Sequence, residues 1–192
     1  MRLGLVRAQQ EAGENSYTSP LLRMSLGIAE QAELVVGSEY DRDEGQVSDA
    51  AIGLKLAGRE AAVRWGVETI ALLPVDSSQS GMGLESQLLA TWNPGRMRLH
   101  LNAGAIYDPR PGEIERAWQA SLLAEIERGA GRAGIELFAR RFRHQSTEVQ
   151  LGVGWIVPAG PLQVRMGLHG GLTGRAPDLA ASLWLSTEWS LW

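Results

Sequence analysis

The stretch Arg96-Met97-Arg98-Leu99-His100-Leu101-Asn102-Ala103-Gly104-Ala105-Ile106-Tyr107 carries the reading of the fold. Met97, Leu99, Leu101, Ala103, Ala105 and Tyr107 are apolar, and Arg96, Arg98, His100, Asn102 and Gly104 fall between them. A period of two over a dozen residues is a strand with two unlike faces. The same pattern returns in Ala61–Ala71 around Arg64, Gly66 and Glu68, in Glu148–Val157 around Gln150, Gly152 and Gly154, and in Leu162–His169 around Gln163, Arg165 and Gly167.

Marking the turn residues between such runs predicts twelve strands, at 2–10, 21–29, 32–41, 48–57, 61–73, 83–92, 96–107, 115–127, 131–142, 148–157, 161–171 and 179–191. The chain of 192 residues then reads as one β domain without a linker. Only 113–128 offers a second reading. Ile114, Trp118, Leu122 and Ile126 recur at helical spacing between Pro111 and Gly129, which are helix start and stop signals. Strand is preferred there because a helix would leave eleven strands and break a regularity in the connections. Long and short connections alternate: 11–20, 41–46, 74–81, 108–113 and 171–178 are long, whereas 58–60, 93–95 and 158–160 are tight. In an up-and-down barrel, alternate connections lie at opposite ends. Loops at one end and turns at the other is the asymmetry of outer-membrane barrels.

Composition narrows the alternatives. Eighteen basic and 22 acidic side chains give a net charge of −4, with no basic excess to neutralise nucleic-acid phosphates. There is no cysteine, and the three histidines are scattered. Thiolate zinc sites, disulfides and cysteine nucleophiles are thereby excluded, and no metal or other cofactor is expected. No apolar run approaches the ~18 residues of a transmembrane helix, but a membrane barrel hides its apolar character in alternation. The apolar start Leu3-Gly4-Leu5-Val6 is too short for a secretory signal. Export therefore implies a signal absent from this numbering.

Three features place the apolar face toward lipid. Twelve strands enclose more space than side chains fill, since about eight suffice for a packed interior. Aromatic residues of that face form two belts, with Trp65, Trp92, Trp155 and Trp189 toward the short turns and Tyr40, Tyr107 and Trp118 toward the loops. Such belts mark the two membrane–water interfaces. The opposite face carries Arg23, Glu33, Glu39, Lys55, Arg64, Glu68, Glu85, Arg98, His100, Glu136, Arg140, Arg165, His169 and Glu188, a charge density that suits a wet lumen.

Short motifs add a resemblance. Pro20-Leu21-Leu22-Arg23-Met24-Ser25-Leu26-Gly27-Ile28 with Gln31-Ala32-Glu33-Leu34, Ser48–Lys55, and Gly170-Gly171-Leu172-Thr173-Gly174-Arg175-Ala176-Pro177-Asp178 resemble segments of an outer-membrane barrel family of phenol meta-pathway transporters. The resemblance implies an exported barrel and uptake of small, often aromatic, molecules. Departures are the scarcity of Tyr and Phe and a terminal Trp192 out of phase with Leu183, Leu185 and Trp189.

The reading is therefore an all-β, up-and-down antiparallel transmembrane β-barrel in the bacterial outer membrane. It is expected to be a monomer among membrane lipid and lipopolysaccharide, passing a small-molecule solute and no nucleic acid. Arg64, Glu68, Glu85, Arg98, His100, Glu136, Arg140, Arg165 and His169 would line the passage. A field across it is expected from acids on early strands facing Arg96, Arg98, Arg140 and Arg165 on later ones. A barrel closed by ion pairs is the competing class. An enzyme is not expected. The one catalytic candidate is His144-Gln145-Ser146, which resembles the motif of outer-membrane lipid hydrolases, but on a strand its parity would face the lumen rather than lipid. Carboxylate pairs such as Asp41-Arg42-Asp43-Glu44 lack calcium-loop spacing. Purified, refolded protein should insert into lipid vesicles and migrate faster unboiled than boiled in a denaturing gel. A stable monodisperse protein in plain buffer would contradict the assignment of the apolar face to lipid.

Overall fold

The computed structural model describes residues 2–9, 15–41, 46–59, 61–110 and 113–187. Among them are twelve strands in one sheet: β1 (Arg2–Gln9), β2 (Asn15–Ala29), β3 (Ala32–Asp41), β4 (Gln46–Ala57), β5 (Val63–Leu73), β6 (Gly83–Trp92), β7 (Met97–Asp108), β8 (Glu115–Arg128), β9 (Gly131–Phe142), β10 (Glu148–Ala159), β11 (Leu162–Gly171) and β12 (Leu179–Thr187). Each pairs antiparallel with its sequence neighbours, and β1 pairs with β12, so the sheet closes. Closure removes both edges, which is what a sheet needs where no water can satisfy free N–H and C=O groups.

The registers fix the stagger. From Arg7, paired residues lead through β12 and down the strand order to Val63. From Arg2 they lead the other way through β2, β3 and β4 to Leu72. Five residues separate Arg2 from Arg7 and nine separate Val63 from Leu72, a stagger of about fourteen residues. With twelve strands this corresponds to a tilt of about 40° and a backbone radius of about 12 Å.

The segment open to a helical reading is strand throughout. β8 pairs with β7 from Met97↔Ile126 to Asp108↔Glu115 and with β9 from Ala117↔Phe142 to Arg128↔Gly131. Two continuous ladders outweigh the intrinsic helix preference of its Ala, Leu and Glu. The start of β2 is a correction. The strand begins at Asn15, not at 21, and Pro20 lies inside it. Against both neighbours the register shifts between Thr18 and Leu21, so β2 holds one extra residue there. A bulge is where a proline, lacking an N–H, can sit in a sheet. Pro158 lies within β10 but beyond the last β9 pair, Ile156↔Arg132, so its missing donor costs no bond to β9.

The strand ends flanking 10–14, 42–45, 74–82, 109–114, 143–147 and 172–178 lie at one end of the barrel, and those flanking 30–31, 58–62, 93–96, 129–130 and 160–161 at the other. The size difference holds except that 58–62 is longer than 42–45 and 93–96 is as long as it. Gly95, Gly129 and Gly160 supply the left-handed backbone of three tight turns. Residues 42–45, with most of the acidic loop, and Glu188, Trp189 and Trp192 lie outside the described residues.

Exposure settles which face is which. Met24, Leu26, Leu54, Trp65, Leu88, Trp92, Leu101, Trp118, Leu122, Ile135, Val153, Trp155, Met166 and Leu183 are all exposed large apolar side chains on one parity. The other parity is buried or half-buried along most of its length and carries most of the charges. Side chains of that face bond across strands that are not neighbours, Arg23 of β2 with Glu68 of β5 and Glu85 of β6 with Gln119 of β8. Only the concave side of a closed sheet allows this. On the outer face, Thr69 and Ser86 satisfy each other at 3.2 Å, as hydroxyls in a lipid-facing wall must.

Leu101 is 53 % and Val153 57 % exposed on the outer wall. Leu101→Arg or Val153→Arg should lower stability by about 2–4 kcal/mol in a refolding titration, and inward Asn102→Arg by less. Equal losses at Leu101 and Asn102 would mean the register is wrong. Inward Gly152 should not tolerate the change, because a Cβ there would stand 1.9 Å from the His169 ring.

Candidate functional site: the charged lumen

Twelve tilted strands of alternating parity bring inward side chains together from positions far apart in sequence. They form four groups. On the first wall, Glu68 is 6 % exposed and accepts a hydrogen bond from Arg23. Lys55 Nζ lies 3.3 Å from Glu33. Between β2 and β5, β3 and β4 present buried Val35 and Gly53. A side chain at Gly53 would collide with the backbone of Thr69 and Ile70, so this wall is smooth beneath the ion pair.

On the opposite wall the centre is Glu125, 6 % exposed on β8. Its Oε2 lies 3.3 Å from Arg132 Nε and 3.4 Å from His100 Nε2. His100 Nδ1 is 3.0 Å from the Thr91 hydroxyl. The ring is therefore oriented from both sides, with Nε2 toward Glu125 and Nδ1 toward Thr91. Arg165 is within electrostatic reach of the same carboxylate. His169 Nε2 lies 3.3 Å from Glu136. A recess of about 170 Å³ opens between these groups, lined by Glu125, Arg132, Glu136, Arg165, His169 and Trp184, with a floor that includes Gly134, Gly154 and Gly167. The missing side chains of those glycines make the room.

Nearer the loops, a polar ladder runs between strands: Gln119 Nε2 donates to Glu85 at 2.7 Å, and Arg140 Nη2 donates to Gln119 at 3.0 Å. The Arg140 guanidinium lies 5.3 Å from the centre of the Phe138 ring, within cation–π range.

The fourth group sits at the loop end. Arg110, 6 % exposed, folds back from connection 109–114. It donates to both Asp108 oxygens, at 2.9 and 2.8 Å. It also donates to Asp49 at 2.6 Å and to the Leu73 carbonyl at 3.0 Å. One guanidinium thus ties the loop after β7 to the ends of β4 and β5. Its hydrogen bonds to Asp108, then to Asp49, raise its pKa further above the usual arginine range against the opposing effect of burial. Gly83 leaves space for the Asp108 carboxylate, which a Cβ would approach to 2.9 Å.

Of the nine residues expected to line the passage, the structure joins His169 with Glu136. Glu85 and Arg140 meet through Gln119, and Glu68 and His100 each find a partner outside that set. Arg64 is exposed near the short-turn end, Arg98 is half-buried on the short-turn side of His100, and Arg96 lies in the turn before β7. The expected segregation of charge is corrected. Acids and cations are interleaved on both walls, because β8 places Glu125 among the cations of β7, β9 and β11 and β2 places Arg23 among the early acids. Glu125, Arg132, Trp184 and the Arg110 group were missed. Glu125 had the right parity but lay in the segment open to a helical reading, and nothing local in Asp108-Pro109-Arg110 signals a contact to Asp49. His144 and Ser146 are not on a strand. They are exposed in connection 143–147, with His144 in the left-handed region at φ 64°, so the shared strand face that would couple base and nucleophile does not exist.

No protein-family model matches the sequence, and no curated protein matches it. Solved structures do match. The NanC porin superposes with a TM-score of 0.71 at 8 % identity, over 97 % of this chain and 100 % of that one. The KdgM porin in complex with disordered oligogalacturonate gives 0.71 at 8 % identity, over 99 % and 100 %. The COG4313 outer membrane channel from Pseudomonas putida F1 gives 0.68 at 12 % identity, over 96 % and 93 %. The fold is that of outer-membrane channel barrels.

Arg110→Ala would leave Asp108 buried and unpaired, a change that costs about 3 kcal/mol at comparable sites. Connection 109–114 should then be cut by protease added outside intact vesicles, while the parent resists and β-sheet content stays unchanged. Equal resistance would show that Arg110 does not hold the loop.

Proposed function

We propose that this chain is a bacterial outer-membrane channel, monomeric, through which small polar molecules pass without turnover chemistry. The observation that carries the reading is the inversion of an ordinary protein: apolar side chains cover the outside of a closed sheet, and paired charges line its inside. A soluble barrel of this width would expose the first and gain nothing from the second. The similar folds of the NanC and KdgM porins and the COG4313 channel support the reading. Passage would be electrostatic, with fixed charges replacing part of a solute's hydration.

The solute we favour is small and aromatic with a charged group. Trp184 and Phe138 face inward beside Arg165 and Arg140, so an aromatic ring and an acid group find neighbouring partners. The motif resemblance to phenol meta-pathway transporters points the same way. Exposure of His144 and Ser146 in a connection supports a protein without hydrolase activity.

The second reading is a barrel closed by its own ion pairs, and the link from Arg23 to Glu68 across two intervening strands favours it. Conductance separates the two. An open lumen should give stepwise currents in planar bilayers, with Glu125→Gln shifting the reversal potential toward anions and Arg165→Ala shifting it toward cations. A closed one should be silent and begin to conduct only when Glu68→Ala or Arg23→Ala breaks the link. Silence in all four variants would overturn the channel proposal.

A further inference from the structure

One cluster of charge has no role in a lumen. Arg116 of β8, Arg141 of β9 and Arg143 just beyond β9 are all exposed, and Arg116 and Arg141 share the outward parity of Trp118. Trp118 pairs with Arg141, and the Arg143 amide donates to the Arg116 carbonyl at 2.7 Å. Three guanidinium groups therefore stand on two adjacent cross-strand positions, where like charges repel. In β7 to β10 the carboxylates at this height, Asp108, Glu115 and Glu148, have inward parity. Arg116 is held over the outward Tyr107 ring at 5.6 Å, and Arg141 Nε donates to the Gln145 carbonyl at 3.2 Å. With Trp118 and His144, the three arginines line a shallow groove of about 390 Å³ that also touches Ala117 and Phe142.

Depth identifies what neutralises them. Trp118 and Tyr107 mark the membrane interface at the loop end; Arg141 pairs with Trp118 and Arg116 with Tyr107 at that level, and Arg143 lies two residues beyond Arg141 toward the loops. Guanidinium groups at headgroup level, above an aromatic belt and beside an apolar wall, match a lipid whose phosphates sit directly over its acyl chains. We propose that this groove binds a phosphate group of lipopolysaccharide in the outer leaflet, with Arg116 and Arg143 as the main donors and Trp118 against the sugar–acyl boundary. Arginine suits the task because its planar fork matches phosphate oxygens two at a time. The site rests on the outer-membrane reading with the loops outside, and it deepens that reading by naming where the lipid is held.

The test uses the refolded full chain in detergent micelles, with lipid A carrying both phosphates as the probe. Binding is followed by native mass spectrometry and by the shift in melting temperature. Bis-phosphorylated lipid A should bind and raise the melting temperature, and enzymatically dephosphorylated lipid A should bind at least tenfold more weakly, as expected when charge-assisted bonds are lost. Arg116→Gln with Arg143→Gln should lose the same factor, whereas Arg128→Gln, on the outward parity at the short-turn end of β8, should lose none. All variants lie on exposed surface, and each is used only if it shows the faster unboiled migration of a folded barrel. Equal binding of the two forms of lipid A, an unchanged double variant, or equal binding of phosphatidylglycerol would overturn the proposal. A protein that enters no bilayer would instead overturn the membrane reading beneath it, which is a separate result.

Discussion

A strand in lipid has nowhere to place an unpaired N–H or C=O except on another strand. Everything else in this molecule follows from that constraint. Twelve ladders join every strand to its neighbours from β1 round to β12 and back, and the stagger fixes the tilt at which the circle closes. Once the circle is closed, alternation has only one meaning: one parity faces lipid and the other faces the axis. The bulge in β2 and the prolines at 20 and 158 sit where the ladders can spare a donor.

The lumen obeys a second, weaker constraint. A charge inside a narrow barrel is partly stripped of water, so leaving it alone is costly, and a partner within reach stabilises it. Tilt supplies those partners from strands distant in sequence. Arg23 meets Glu68, Glu125 gathers His100 and Arg132, and Arg110 ties three strand ends at once. Acids and cations are therefore interleaved on both walls, and selectivity would arise from the local order of charges along the path rather than from a field between walls. The glycines matter for the same reason: Gly152 lets His169 lie flat, and Gly134, Gly154 and Gly167 leave a recess beside Arg165 and Trp184.

What the sequence made legible was whatever depends on period two. Strand count, parity and the two aromatic belts need only the pattern along each segment, and Met97–Tyr107 shows it with the single exception of Ile106. The competing helix in 113–128 was settled by neighbours on both sides, which no local pattern reports. The start of β2 was hidden because Pro20 reads as punctuation unless a bulge is allowed. Charge pairing was illegible for a geometric reason. Which inward residues share a height depends on the stagger, and a shift of two residues would leave every parity intact while exchanging every partner. Arg110 was beyond reach because its contacts run from a loop to Asp49, sixty-one positions away.

The central claim is that even and odd positions of one strand face different solvents. The chain has no cysteine, so single cysteines can be placed along β7 from Leu99 to Tyr107, spin-labelled in lipid vesicles, and their relaxation compared with oxygen, which concentrates in lipid, and with a water-soluble nickel complex. The account predicts that labels at 99, 101, 103 and 105 respond to oxygen and those at 100, 102 and 106 to nickel, with Gly104 left unlabelled because a side chain there would meet the Ser86 carbonyl. Equal responses at both parities, or an alternation in the opposite phase, would contradict it.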